Sequence, residues 1–503
     1  MAAKDGVELV VAWPLIMRMK LLALAAVLAT GVAGAQNHIE RHVEYDVVIS
    51  RGRVIDPESK LDAVRDVAVQ GDKIVAVSEA PLSGRHLVDA RGLVVTAGFI
   101  DVHQHGQTPE NYALKARDGV TTALEMEVGV SPVEAWYRER EGKSFINFGA
   151  SVGHIPVRMA VMHDTGTFLP RDRAINSSAT AGQFNEILSL LRRGLDEGAL
   201  GVGMGIAYVP GATREEIFRV FQLAAARDVT LFVHLRSAGP VEPGGIDALQ
   251  EAMADAAATG AALHVAHITS TELRETPLAL ELIEGARKRK LAFSTEAYPY
   301  TAGMTDLSSA IFSEGWQQRN GGITYQDLQW AQTGERLREE SFIRYRKQGG
   351  MVAVHSIPEE IVRTAMADPD VIIASDGILD SGKGHPRAAG TYARVLGKYV
   401  REEHVLSLTA ALRKMSLLPA QLLRLPGKGR LQAGADADIA VFDPEHVRDR
   451  ATFENPAQAS EGILHVMVNG VWVVKNGEVQ RGVLPGRGLR HSPSVSLSLI
   501  NKK

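Results

Sequence analysis

From Gly98 to about residue 425 the chain alternates apolar, strand-like runs of four to six residues with longer stretches of helical spacing. The runs are Gly98-Phe-Ile-Asp-Val-His, Thr121-Ala-Leu-Glu, Phe145-Ile-Asn-Phe, Leu200-Gly-Val-Gly, Leu231-Phe-Val-His, Leu263-His-Val-Ala-His, Leu291-Ala-Phe-Ser-Thr, Met351-Val-Ala-Val-His and Val371-Ile-Ile-Ala-Ser-Asp. Near-continuous apolar runs separated by helices are what a parallel sheet covered on both faces requires. This many of them predicts an α/β fold of the (β/α)8, TIM-like barrel type.

Outside that region the pattern shortens. Tyr45-Asp-Val-Val-Ile-Ser, Arg53-Val-Ile-Asp-Pro, Asp66-Val-Ala-Val and Leu93-Val-Val-Thr are interrupted at Gly52, Gly71 and Gly92, which predicts a small antiparallel sheet. Short strands return with Asp438-Ile-Ala-Val-Phe-Asp-Pro and Ile463-Leu-His-Val-Met-Val. Residues 44–97 and 428–490 are therefore expected to build one small β-sandwich domain from both termini, with the barrel at 98–427. Residues 301–350, carrying Trp316, Tyr325 and Trp330, exceed an ordinary barrel connection and are expected to form a lid or a solvated insertion.

Composition narrows the chemistry. Lys plus Arg number 55 against 59 Asp plus Glu, with no basic block, so a nucleic-acid partner has no electrostatic footprint. The absence of cysteine excludes disulfides, thiolate catalysis and sulfur-ligated metals. Any metal here must sit on nitrogen and oxygen. At the N-terminus, Arg18 and Lys20 precede an apolar stretch from Leu21 to Ala29 that grades into Ala33-Gly34-Ala35. That order is the one of a secretory signal, with Met17 or Met19 as the expected start. The expectation is a leader over 1–35, a periplasmic or secreted protein, and no stable membrane span after cleavage.

Candidate ligands fall at strand ends. His103 and His105 are two apart after Phe99-Ile100, so an extended chain points both imidazoles to one side. His234, His267 and Asp376 each close an apolar run, and the C-terminal ends of barrel strands are where such folds carry their active sites. Glu125 and Glu127 share a face of the second strand; a carboxylate turned into that interior needs a cation beside it, and Glu127 is nearer the strand end. Together these residues predict a metal site.

Several of these segments, with Glu296-Ala-Tyr-Pro-Tyr-Thr-Ala-Gly, Ala374-Ser-Asp-Gly, His385-Pro-Arg-Ala-Ala-Gly-Thr-Tyr and Phe453-Glu-Asn-Pro-Ala-Gln, resemble the amidohydrolase superfamily, in its N-acyl-D-amino-acid deacylase (D-aminoacylase) branch. The resemblance implies a zinc-dependent hydrolase of C–N bonds other than ordinary peptide bonds, with one or two zinc ions and a small-molecule amide substrate. It assigns His103 and His105 to one metal position, His234 and His267 to the other, and Asp376 to metal binding and proton handling, with Arg387 and Tyr300 at the substrate carboxylate; Glu127 is the expected substitute for the branch's bridging ligand, with Glu125 as the alternative. Three departures stand out. Where the branch usually has a bridging cysteine this chain has Val128, its usual lysine is Thr269, and its Asp-Gln is Glu296-Ala297.

Deacylation of N-acyl D-amino acids is thus the expected reaction, with a cyclic amide (dihydroorotase-like) or a dipeptide as the alternative substrate. Two rivals carry less. Gly149-Ala-Ser-Val-Gly matches a serine-hydrolase elbow at Ser151, but Pro156 follows where a helix should run. A non-catalytic exported binding protein has no need of four converging imidazoles. Gly201-Val-Gly-Met-Gly is followed by Pro210, against a phosphate loop.

Overall fold

In the computed structural model, residues 44–491 are described; the expected leader at 1–35 lies outside them. Strands β1 (Tyr45–Asp56), β2 (Leu61–Gln70), β3 (Lys73–Ser78), β4 (Gly84–Asp89) and β5 (Val94–Ala97) open the chain. The barrel follows with β6 (Phe99–Asp101), β7 (Val120–Val130), β8 (Asn147–Gly153), β9 (Gly201–Gly205), β10 (Thr230–His234), β11 (Ala262–Val265) and β12 (Phe293–Ala297). An insertion then contributes β13 (Gly303–Asp306), β14 (Leu328–Trp330) and β15 (Met351–Val354) before the eighth barrel strand, β16 (Val371–Ile373). A two-residue hairpin, β17 (Leu379–Asp380) with β18 (Lys383–Gly384), precedes the C-terminal strands β19 (Ile439–Phe442), β20 (Ile463–Val468), β21 (Val471–Lys475) and β22 (Glu478–Val479).

The eight barrel strands are hydrogen-bonded in the order β16-β12-β11-β10-β9-β8-β7-β6, every pair parallel. The seam between first and last strand is closed by an isolated parallel bridge, Gln104 to Gly377, and by the Asp376 N–H donating to the His103 carbonyl at 2.7 Å. Ile100, Leu124, Met126, Phe232 and Ile372 fill the lower interior, with Leu418 and Leu422 packed against them. The lower barrel is therefore a packed apolar core, with His264 and Ser294 paired beside Phe232. Outside it, the helix Arg214–Ala226 shows how sequence fixes the surrounding ring. Thr213 caps it by accepting from the Glu216 N–H at 3.1 Å, and Ile217, Val220, Phe221 and Ala224 form its buried stripe. Such a cap contributes about 1 kcal/mol.

Two expectations need correction. The run Met351–Val354 is not a barrel strand: β15 pairs antiparallel with both β13 and β14 inside the insertion. A short apolar run specifies a buried strand but not its partner, and here the insertion has its own core of Leu307, Phe312, Trp316, Trp330 and Phe342. The terminal strands, expected to be antiparallel at the N-terminus, form a mixed sheet in the order β22-β21-β20-β19-β5-β1-β2-β3. One edge of β1 is shared, first with β4 and then with β5, both parallel to it. As expected, the two ends of the chain meet: β5 and β19 pair antiparallel, and the sheet has a separate core including Val54, Val67, Ile439 and Trp472. Among the described residues no helix is long and apolar enough to cross a membrane.

One buried acid outside the rim stands alone. Glu272 is fully buried and neither carboxylate oxygen has a hydrogen-bond partner. Its Oε2 lies 2.3 Å from where a Cβ would stand on Gly245, so the helix that starts there needs glycine. Burial, aided by the charge of Glu275, raises the Glu272 carboxyl to about 8 from its ordinary 4.5. The folded chain thus keeps a proton that the unfolded chain releases, and this contribution is complete below pH 4.5 and is lost as pH rises through about 8. Stability should fall by on the order of 1 kcal/mol per pH unit across that window. Glu272→Gln should flatten the slope in urea denaturation at pH 5 and pH 8; an unchanged slope would assign it to other groups.

Candidate metal centre

Every site residue read from strand ends lies on the upper rim. The decisive local feature is in β7. Its ladder with β8 runs from Thr122 to Glu125, breaks, and resumes only at Val130. A broken ladder bends a strand and re-aims its side chains. Gly203 of β9 permits the resulting approach, since a Cβ there would lie 2.5 Å from the carbonyl oxygens of Met126 and Glu127. Glu127 and Val128, which would face opposite ways on a regular strand, consequently both line the same cavity. This explains how a carboxylate can occupy the ground that the branch gives to the neighbouring position.

Two donor clusters meet at Glu127. In the first, His103 Nε2 and His105 Nε2 are 3.2 Å apart, with Glu127 Oε2 at 3.8 and 3.6 Å from them and Asp376 Oδ1 at 3.5 and 3.3 Å. Zinc with bonds of about 2.1 Å spaces tetrahedral ligand atoms about 3.4 Å apart, so these separations suit one ion. In the second, Glu127 Oε1 lies 3.0 Å from His234 Nδ1, and Glu127, His234 and His267 each offer an atom within 4.8 Å of the others. Glu127 thus turns one oxygen to each pair of imidazoles. Glu127 Oε1 and His234 Nδ1, buried 3.0 Å apart, have no partner other than each other. Facing donor atoms in an all-nitrogen and oxygen set, without further partners, are what a divalent cation would satisfy.

The groups behind the donors fix their aim. His103 Nδ1 is paired with Glu296 Oε1, and His105 Nδ1 with Glu125 Oε2 at 2.8 Å, so both rings present Nε2 inward. Glu296 Oε2 also meets His264 Nε2 at 3.2 Å, and Ser270 Oγ meets His267 Nδ1 at 3.1 Å. His267 and Asp376 have φ of 32° and 50°, left-handed conformations that non-glycine residues rarely hold. Such strain, at the turns leaving β11 and the seam, aims both side chains at the centre. Burial alone would lower the His103 imidazole, but the Glu296 and Asp376 carboxylates raise it to about 9. Burial would raise Glu127, yet the adjoining imidazoles, His234 first, hold it at about 2. Burial and the neighbouring His234 lower His267 to about 3.

The centre opens into a cavity of about 310 Å³. Arg387 lines it, almost wholly buried, with Nη2 on Asp376 Oδ2 at 2.9 Å and its guanidinium 4.5 Å over the Tyr298 ring. Its Nε and Nη1 have no partner. Arg387 therefore has a structural ion pair, and a substrate would meet its remaining donors rather than a wholly free fork. Tyr300 does not line the cavity: it lies behind, edge-on to His385 and under Arg394, and Tyr298 holds the place beside Arg387. Thr269 is buried outside the cavity wall. Ser151 Oγ donates to the Met126 carbonyl at 2.7 Å from within β8, where no elbow forms.

A model of the amidohydrolase family matches residues 160–474. The chain belongs to the amidohydrolase family. Among curated amidohydrolases, an N-acyl-D-glutamate deacylase of Alcaligenes xylosoxydans xylosoxydans is 30% identical over 501 residues, covering 90% of this chain and 98% of the relative. A D-aminoacylase from the same organism is 30% identical, covering 85% and 94%. Of solved amidohydrolase structures, an N-acyl-D-glutamate deacylase of Bordetella bronchiseptica, complexed with zinc and a phosphonate mimic of the tetrahedral intermediate, superposes with a TM-score of 0.76 at 28% identity, covering 89% of this chain and all of that one. A D-aminoacylase crystal structure gives 0.75 at 28% identity and the same coverage.

Proposed function

We propose that this amidohydrolase removes the acyl group from N-acyl-D-amino acids by metal-assisted addition of water to the amide carbonyl. The observation that carries the reading is Glu127, one carboxylate facing His103 and His105 with one oxygen and His234 and His267 with the other. The relatives supply the substrate class, since three curated relatives at 30% identity over most of the chain are an N-acyl-D-glutamate deacylase, a D-aminoacylase and an N-acyl-D-aspartate deacylase. A zinc ion or a pair, held by these residues and Asp376, would polarise the amide carbonyl and make water acidic enough to ionise near neutral pH.

The chain's own groups do the rest. Asp376, at the same rim as both histidines, is placed to take the proton from the attacking water and return it to the departing nitrogen. Arg387 holds Asp376 in orientation through Nη2 and offers its unpartnered donors to the substrate carboxylate. The Tyr298 ring, stacked under that guanidinium, keeps it in plane. Export to the periplasm or beyond belongs to the same reading and rests on the order of basic, apolar and small residues from Arg18 to Ala35.

The test is a panel of paired N-acetyl-D- and N-acetyl-L-amino acids, dipeptides and lactams, run on protein stripped by a chelator and reloaded with zinc. Stripping should abolish turnover, zinc should restore it, and the D series should exceed the L series by more than about 10²-fold, the scale that a site hydrogen-bonded to the correct isomer reaches. Faster opening of lactams would move the enzyme to cyclic amides.

A further inference from the structure

Granting deacylation at this centre, the cations of the cavity bear on which side chain the substrate carries. Among the described residues three arginines line the cavity, Arg236, Arg319 and Arg387, and no lysine does. Arg387 is answered by Asp376 at 2.9 Å, and its remaining donors suit the one carboxylate that every N-acyl amino acid possesses. The other two are held differently.

Arg236 lies two residues past His234, and its Nε and Nη2 donate to the Glu251 carboxylate at 2.9 and 2.8 Å. That carboxylate also takes Arg214 Nη1 at 2.6 Å. Arg236 Nη1 has no acceptor among the described residues. Arg319 is half-buried and meets no carboxylate among them. Its Nη1 donates to the Glu314 carbonyl at 2.7 Å, and its Nη2 to the Ser313 hydroxyl at 2.9 Å and the Ser313 carbonyl at 3.1 Å. Neutral acceptors of this kind hold a guanidinium in place without cancelling its charge. A cation already fixed gives up little rotamer freedom when it takes an anion, and the planar fork matches a carboxylate.

The fold brings these two segments together at Gly239. Its φ is 73°, a Cβ there would collide with the Arg319 carbonyl oxygen, and its N–H donates to the Thr271 carbonyl at 2.7 Å. The loop after β10 and the insertion therefore meet at one part of the cavity, with Arg236 from one side of the contact and Arg319 from the other. Elsewhere the wall is apolar: Phe168 stands edge-on to His105, with ring centroids 5.2 Å apart, and offers contact to an acyl chain or to methylene groups.

We infer that Arg319, with Arg236 across the same contact, receives a carboxylate on the substrate side chain, and that this enzyme prefers acidic N-acyl-D-amino acids to neutral ones. The α-carboxylate goes to Arg387 and the side-chain carboxylate to Arg319, so each anionic group meets its own cation.

The experiment measures kcat/KM of the zinc-loaded protein at about pH 7.5, where side-chain carboxylates are ionised. The substrates are N-acetyl-D-glutamate, N-acetyl-D-aspartate, N-acetyl-D-glutamine and N-acetyl-D-leucine. Calorimetric binding of the phosphonate analogues of the glutamate and glutamine substrates runs in parallel and needs no turnover. Glutamate should exceed glutamine, its neutral equal in size, by about 10-fold or more, the scale of a charge-assisted hydrogen bond. Added salt should lower that ratio, a readout that needs no variant. Arg319→Met should lower glutamate about 10-fold further than glutamine, and Arg319→Lys, which keeps the charge but not the fork, should recover part of the difference. Loss of folded protein would lower both substrates alike, so the ratio isolates the contact. Glutamine or leucine equal to or better than glutamate as a substrate overturns the inference, as does equal binding of the two analogues. A glutamate-to-glutamine ratio unchanged in Arg319→Met overturns the assignment to Arg319. Tighter binding of the glutamate analogue without hydrolysis of any member supports the inference and overturns deacylation instead; failure of both analogues to bind overturns both.

Discussion

Glu127→Ala should lose more than about 10³-fold in kcat/KM together with most of its bound metal, the larger loss of any single replacement at the rim. Changing a group that merely orients a ligand typically costs 10- to 100-fold in metal affinity or activity, about the range for Glu125 or Glu296. Glu127 stands nearer: Oε2 faces His103 and His105, and Oε1 lies 3.0 Å from His234. Its removal takes a donor from both clusters at once and leaves buried imidazoles without the carboxylate that balances them. Metal content by mass spectrometry and steady-state turnover should therefore fall together. Full metal content with near-parental turnover would show that Glu127 is not the shared donor. Glu125→Gln separates the two acids of β7, since Glu125 meets His105 Nδ1 at 2.8 Å and accepts from the Gly129 N–H at 3.3 Å, behind the donor atoms rather than among them. It should weaken metal binding without abolishing it.

Much of this centre was legible in the sequence because barrel chemistry collects where apolar runs end. His234 is the last residue of β10, and His103, His105, His267 and Asp376 lie within four residues past β6, β11 and β16, as the unbroken apolar stretches before them imply. What the sequence does not display is partnership. Glu296 stands in the sequence only as a departure from the family pattern, yet it holds His103 and His264. The available signal was an acid one residue before the end of the buried strand β12. His264, on β11, has no mark in the sequence either, yet its Nε2 meets Glu296 from the adjacent strand. The break in the β7 ladder between Glu125 and Val130 has no sequence mark beyond Gly129, whose φ of 69° lets the strand turn back. Met351–Val354 has the composition of a barrel strand, and only the insertion's aromatic core decides its placement. Arg387, expected at the substrate carboxylate, lines the cavity, and its ion pair with Asp376, across the hairpin β17–β18, depends on tertiary structure.

Asp376→Asn should reduce kcat by about 10³-fold while leaving KM within a few-fold and most of the metal bound. Losing a positioned proton carrier costs about 10² to 10⁴ in rate. Asparagine preserves size, and its carbonyl oxygen can still accept from Arg387 Nη2, which now lies 2.9 Å from Oδ2. The imidazoles of His103 and His105 with Glu127 remain to hold an ion. Only the capacity to take a proton disappears, so the loss should fall on the chemical step and not on binding. Arg387→Met makes the opposite cut: it removes the counter-charge of a buried carboxylate, and breaking such a pair destabilises by about 3 to 5 kcal/mol. That variant should melt earlier and show a raised KM for substrates bearing a carboxylate, because the unpartnered Nε and Nη1 go with it. The two profiles differ in kind, one in kcat with an intact fold and the other in KM with a weakened fold. Parental kcat in the Asp376→Asn protein would remove Asp376 from proton transfer and leave it as the partner that orients Arg387.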